Sequence, residues 1–178
     1  RQHTVIADVG LLGPDGFDPV RLDRYDRWFA TLKRHGIYTC WSVVYPHHGA
    51  FVRRGDGLER ERFEALDRSD RYRDGRRRPI VANDYMNLDR GLQDLALRYF
   101  RALLEHLNPH TGLRYKDDPT LAIVEFQNES NVFFHTLNEL RKGEPAVYAR
   151  ELRRGFFRFV KTRYRERSAV LDAWGKWD

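Results

Sequence analysis

The chain has 178 residues, 41% hydrophobic and 13% aromatic, enough to bury a core and too apolar to be disordered. Its formal net charge is +6, yet the 32 Lys and Arg are mixed with 26 Asp and Glu, as in Arg21-Leu22-Asp23-Arg24-Tyr25-Asp26-Arg27. That pattern fits solvated helix faces and argues against nucleic-acid binding; only Arg76-Arg77-Arg78 is a compact basic run. Cys40 is the single cysteine, which excludes an intrachain disulfide and a cysteine-based zinc site, and it reads as a small buried hydrophobe.

No apolar run reaches the roughly 18 residues that a membrane span needs. The chain opens at Arg1 without Met, and Gln2-His3-Thr4-Val5-Ile6 already resembles part of an element. The expectation is a piece of a larger protein, with secreted and cytoplasmic locations both open.

Val5–Val9 suits a strand or the end of one. Asp18-Pro19 opens the first clear helix, an N-cap followed by proline at the first helical position. Leu22, Tyr25, Trp28, Phe29 and Leu32 recur on one face, and Gly36 is the stop. Ile37–Tyr45 predicts a buried strand ended by Pro46. A long polar insertion follows at about 47–85, with Phe63 and Leu66 hinting at a short helix inside it.

A second helix is expected over about Asp89–Leu107, with Leu92, Leu95, Tyr99, Leu103 and Leu107 inward. Asn108-Pro109-His110-Thr111-Gly112 breaks it. Thr120–Glu129 predicts a strand whose apolar, β-branched run suits cover on both faces. A third helix spans about Ala146–Tyr164 with Leu152, Phe156, Phe159 and Val160 inward, and Ser168 caps a last short helix closed by Gly175. Helix and strand in alternation imply an α/β chain with parallel strands, and no Gly-rich phosphate loop follows any strand.

In parallel sheets chemistry gathers at the carboxyl ends of strands. Asn128-Glu129 stands at such an end and is the candidate for acid/base work. Glu125, deeper on the same face, reads as structural and needs a partner, for which an arginine is expected. His47 and His48 follow the other strand. They suit a hydrogen bond to substrate better than a metal, because nothing at ligand spacing completes a site. Phe133, Phe134 and His135 come just after Glu129, where an aromatic ring could stack on a sugar.

The stretch Leu103–Tyr115, then Asp117-Asp118-Pro119 through Asn128-Glu129, resembles the third helix and fourth strand of clan A glycoside hydrolases, nearest to family 5-like cellulases and family 42-like β-galactosidases. Phe17–Tyr38, Phe159–Tyr164 and Leu171–Gly175 are similar to neighbouring stretches of those enzymes. The resemblance implies a segment of a (β/α)8 TIM barrel, from about strand 2 to helix 4, forming one partial catalytic domain over residues 1–178.

The function it implies is retaining hydrolysis of O-glycosidic bonds in an oligo- or polysaccharide, by double displacement and without a cofactor. Glu129 would be the general acid/base and Asn128 would bond the sugar 2-hydroxyl. Arg1 and His47 or His48 would touch substrate. The nucleophilic glutamate of such enzymes has no counterpart here, so the chain alone is expected to be inactive. The alternatives are a carbohydrate-binding or pseudoenzyme barrel and, behind it, a basic nucleic-acid-binding domain. No nucleic-acid or membrane partner is expected, and open sheet edges would favour self-association.

Overall fold

A computed structural model describes residues 17–42, 51–52, 54–68, 80–81, 84–126, 131–143 and 145–175. Helix α1, Pro19–Arg34, begins where Asp18 accepts hydrogen bonds from the backbone N–H groups of Val20 and Arg21, and ends at Gly36 with φ +69°. Strand β1, Thr39–Ser42, follows. The polar insertion holds β2 (Phe51–Val52), α2 (Arg60–Arg68) and β3 (Ile80–Val81), with β2 and β3 paired antiparallel.

After a 3₁₀ turn at Asp84–Asn87 comes α3, Arg90–Glu105, capped by Asp89. Its end leads into a small antiparallel hairpin, β4 (Leu107–Asn108) and β5 (Leu113–Arg114). Strand β6 is Leu121–Glu125. A π-helical turn at Val132–Thr136, α4 (Leu137–Lys142), α5 (Ala146–Arg163) and α6 (Arg167–Trp174) complete the described chain.

The core joins β1, α1 and α3 to α2, α4 and the start of α5. Trp41 on β1 is fully buried against Tyr115 at 4.6 Å between ring centroids and Phe29 at 6.1 Å, both edge-on. Aromatic pairs of this geometry add about 0.5–1.5 kcal/mol each beyond burial. A second aromatic pair, Tyr85 stacked on Tyr148 at 4.5 Å, joins the 3₁₀ turn to the start of α5.

Among the described residues the expected barrel segment is absent. Helix takes up most of them, the three sheets have two strands each, and only β1 and β6 run parallel. The described residues of the insertion form a short antiparallel pair and a helix and add no further strand to the parallel pair. Nor is β6 covered on both faces: Ala122 is exposed and Ile123 is 59% exposed.

Other expectations also need correction. Leu107 leaves the helix and is exposed in the hairpin. On α5 only Val147, Tyr148 and Ala149 are buried, while Phe156 and Phe159 face solvent. Ser168 lies inside α6, whose N-cap is Glu166, and Cys40 is half-buried.

Candidate functional site

The parallel pair is tied first at its amino end. Thr39 donates both its backbone N–H (2.7 Å) and its hydroxyl (3.1 Å) to the Thr120 carbonyl. Asp118, almost fully buried, accepts from Lys33 Nζ at 2.7 Å and from the Thr120 backbone N–H at 3.0 Å. Burial works to raise the Asp118 pKa, but Lys33 and Thr120 outweigh it and hold the carboxyl below its ordinary range.

From there the register runs Cys40 to Ile123, Trp41 to Val124 and Ser42 to Glu125. Alternation turns Trp41 toward the helices and sets Cys40, Ser42, Ile123 and Glu125 on the opposite face. There Ser42 Oγ donates to Glu125 Oε2. Glu125 is thus half-buried and hydrogen-bonded to a serine of the neighbouring strand.

Because the strands are parallel, with Ser42 opposite Glu125, the chain leaves both toward the same end of the pair. Past Ser42 lie His47 and His48; past Glu125 lie Asn128 and Glu129. All four, and Arg1, fall outside the described residues.

The second exit is held on either side. Phe126 packs on Phe100 of α3 at 5.0 Å. Asn131 then accepts from the Phe133 backbone N–H at 3.0 Å to cap the π-helical turn, with Val132 and Thr136 buried beneath it. Phe133 itself is 77% exposed, as a stacking platform requires. The side chains of Phe134 and His135 lie outside the described ones. No group of three or more His, Cys, Asp or Glu among the described residues could hold a metal, and no helix among them is long and apolar enough to cross a membrane.

Sequence reasoning missed the buried polar clasp under this pair. Asp26 on α1, 2% exposed, accepts from the Tyr115 hydroxyl and sits 2.8 Å from His106 Nε2. Asn108 Nδ2 donates to the Asp26 carbonyl at 3.0 Å, and His110 Nε2 lies 2.9 Å from Asp23 Oδ1 one turn earlier. Burial, then the Asp26 carboxylate, pushes the Tyr115 phenol far above its ordinary range. The hydrogen bond from His110 lowers the Asp23 pKa.

A signal existed: Leu22, Tyr25, Asp26 and Phe29 follow i, i+3, i+4, i+7, which puts an aspartate inside the apolar stripe. The Asn108–Tyr115 stretch, which carries much of the family resemblance, therefore clamps α1 to the end of α3. No protein-family model, curated protein or solved structure matches this chain.

Proposed function

We propose that the chain carries the proton-donor half of a retaining glycoside hydrolase, with Glu129 as general acid/base. Asn128 bonds the sugar 2-hydroxyl, and His47 or His48 and Arg1 contact the substrate. The supporting observation is the parallel β1–β6 pair in register at Ser42 and Glu125, from which the segments leading to His47–His48 and to Asn128–Glu129 leave toward one end. The exposed Phe133 ring close behind offers a surface for a sugar to stack on. The resemblance supplies the roles; the strand pair supplies a reason for them to meet.

The chemistry requires Glu129 to protonate the glycosidic oxygen and then to take a proton from the water that resolves the glycosyl intermediate. The intermediate forms on a second carboxylate, about 5–5.5 Å away in retaining enzymes. Glu125 is read as structural rather than as that group, because it lies deeper on the strand body, where Ser42 donates to it.

The test uses a polypeptide that joins this chain to the second glutamate, with aryl glycosides of graded leaving groups. Glu129→Gln should cost about 100-fold or more for poor leaving groups and far less for 2,4-dinitrophenyl glycosides, which leave without protonation. Equal activity of the variant on poor leaving groups removes Glu129 from the acid role. A carbohydrate-binding module without turnover is the second reading, favoured by the exposed Phe133. It predicts binding of oligosaccharide that Phe133→Ala weakens and hydrolysis by no form of the chain.

A further inference from the structure

The positive charge of the chain is unevenly placed. Between Arg153 and Arg167 there are seven cations and one carboxylate, Glu166. All seven are exposed. Arg154 pairs with Glu151 at 3.4 Å, and the other six have no ion pair among the described residues. On α1 and α2 acidic residues sit beside basic ones at helical spacing, as Asp23 does for Arg27 and Glu64 for Arg60. A block of unpaired like charge repels itself and weakens the helix that carries it, so it calls for an anionic partner.

The same surface exposes aromatic rings. Phe157, 61% exposed, floors a shallow depression of about 410 Å³ rimmed by Arg154, Arg158 and Lys161. A second depression, about 400 Å³, adjoins it through Lys161 and places Tyr164, Val160, Val170 and Leu171 beside Arg165, Arg167 and the one carboxylate, Glu166. Tyr164 is held in place, since its hydroxyl accepts from Trp174 Nε1 at 2.8 Å and its ring meets that indole edge-on at 5.5 Å. Phe157 and Tyr164 are seven residues apart, about 10 Å along the helix axis, a spacing on the scale of a disaccharide.

We propose that this face of α5 and α6 binds an acidic polysaccharide, with sugar rings laid on Phe157 and Tyr164 and carboxylate or sulfate groups paired with the surrounding cations. The inference rests on the glycosidase reading and specifies its substrate class. An aromatic floor with a cationic rim, next to a second depression where three cations outnumber one carboxylate, matches a polymer that alternates an apolar ring face with a negative charge. A neutral glycan leaves the cations unmatched.

The experiment measures binding of the full chain to oligogalacturonate and to sulfated dextran. Neutral dextran, a single-stranded oligonucleotide of equal charge and anionic phospholipid vesicles serve as comparisons. Both acidic glycans should bind and neutral dextran should not, with log affinity falling linearly against log salt. Combining Arg158→Glu, Lys161→Glu and Arg165→Glu, all at exposed sites, should weaken binding about tenfold or more and flatten the salt dependence. Phe157→Ala should cost about fivefold, retained at high salt where ionic contacts are screened.

Absence of binding overturns the proposal, as does equal or tighter binding of the oligonucleotide or the vesicles. An affinity indifferent to the triple variant also overturns it. Turnover of neutral aryl glycosides tests Glu129 alone, so loss of the polyanion site and loss of the catalytic assignment give different results.

Discussion

Replacing Asp26 by alanine should destabilise the chain by about 3–5 kcal/mol, the cost expected when one partner of a buried charged cluster is removed. The carboxylate is 2% exposed and accepts from Tyr115 on one oxygen and His106 on the other. Each hydrogen bond to a charged group contributes about 1.5–3 kcal/mol, and the stranded Tyr115 hydroxyl adds about 1–3. The desolvation cost of a buried carboxylate, relieved in the variant, offsets part of this.

Urea unfolding followed by circular dichroism measures the change. Tyr115→Phe serves as the calibrating variant, because it keeps the ring packed on Trp41 and Phe29 and removes only the hydroxyl. It should cost about 1–2 kcal/mol, and the two substitutions should be strongly non-additive, since they remove the same contact. A loss below about 1 kcal/mol in Asp26→Ala, or simple additivity with Tyr115→Phe, refutes the clasp as a stabilising unit.

Asp118 should make stability sensitive to acid. Its folded pKa lies below its unfolded value of about 3.9, so the stabilisation from Lys33 is complete above that value and is lost as pH falls through the folded one. The melting-temperature gap between wild type and Lys33→Met should therefore close as pH falls below about 4; a gap that widens on acidification contradicts the assignment.

Asp89→Ala removes the cap of α3, at 2.8 Å from the Gly91 N–H, and also the acceptor of Arg62 (3.0 Å) and the Tyr148 hydroxyl (2.9 Å). Denaturant unfolding should show a loss of about 3 kcal/mol or more, against about 1 for a cap alone. Tyr25→Phe should shift stability by less than about 1 kcal/mol in the same measurement, because the buried Tyr25 hydroxyl makes no well-formed hydrogen bond.

Helix positions were largely legible because their signals are local. Asp18-Pro19, Gly36 and the Leu92–Leu103 spacing mark α1 and α3 within a residue or two, and Phe63 and Leu66 correctly hinted at α2. That β1 and β6 pair in parallel was legible too, but the barrel segment expected around them was not borne out, since no further parallel strand joins the pair among the described residues. What failed needed knowledge of neighbours. Phe156 and Phe159 have core spacing, yet spacing says only that a face is apolar, not that something covers it. Asp26 was hidden by its charged surroundings, although its place in the stripe gave it away. Of the candidate site, Phe133 could be located, and the approach of the two strand exits was implied by their parallel order.

The restraints on the strand pair are distributed lengthwise. Thr39–Thr120 and Lys33–Asp118 grip the amino end, Trp41 is wedged against Phe29 and Tyr115 midway, and Ser42–Glu125 and Phe126–Phe100 fasten the other end. Mechanically this is a splint fastened at several points along its length, so that loosening one fastening leaves the others to keep the register.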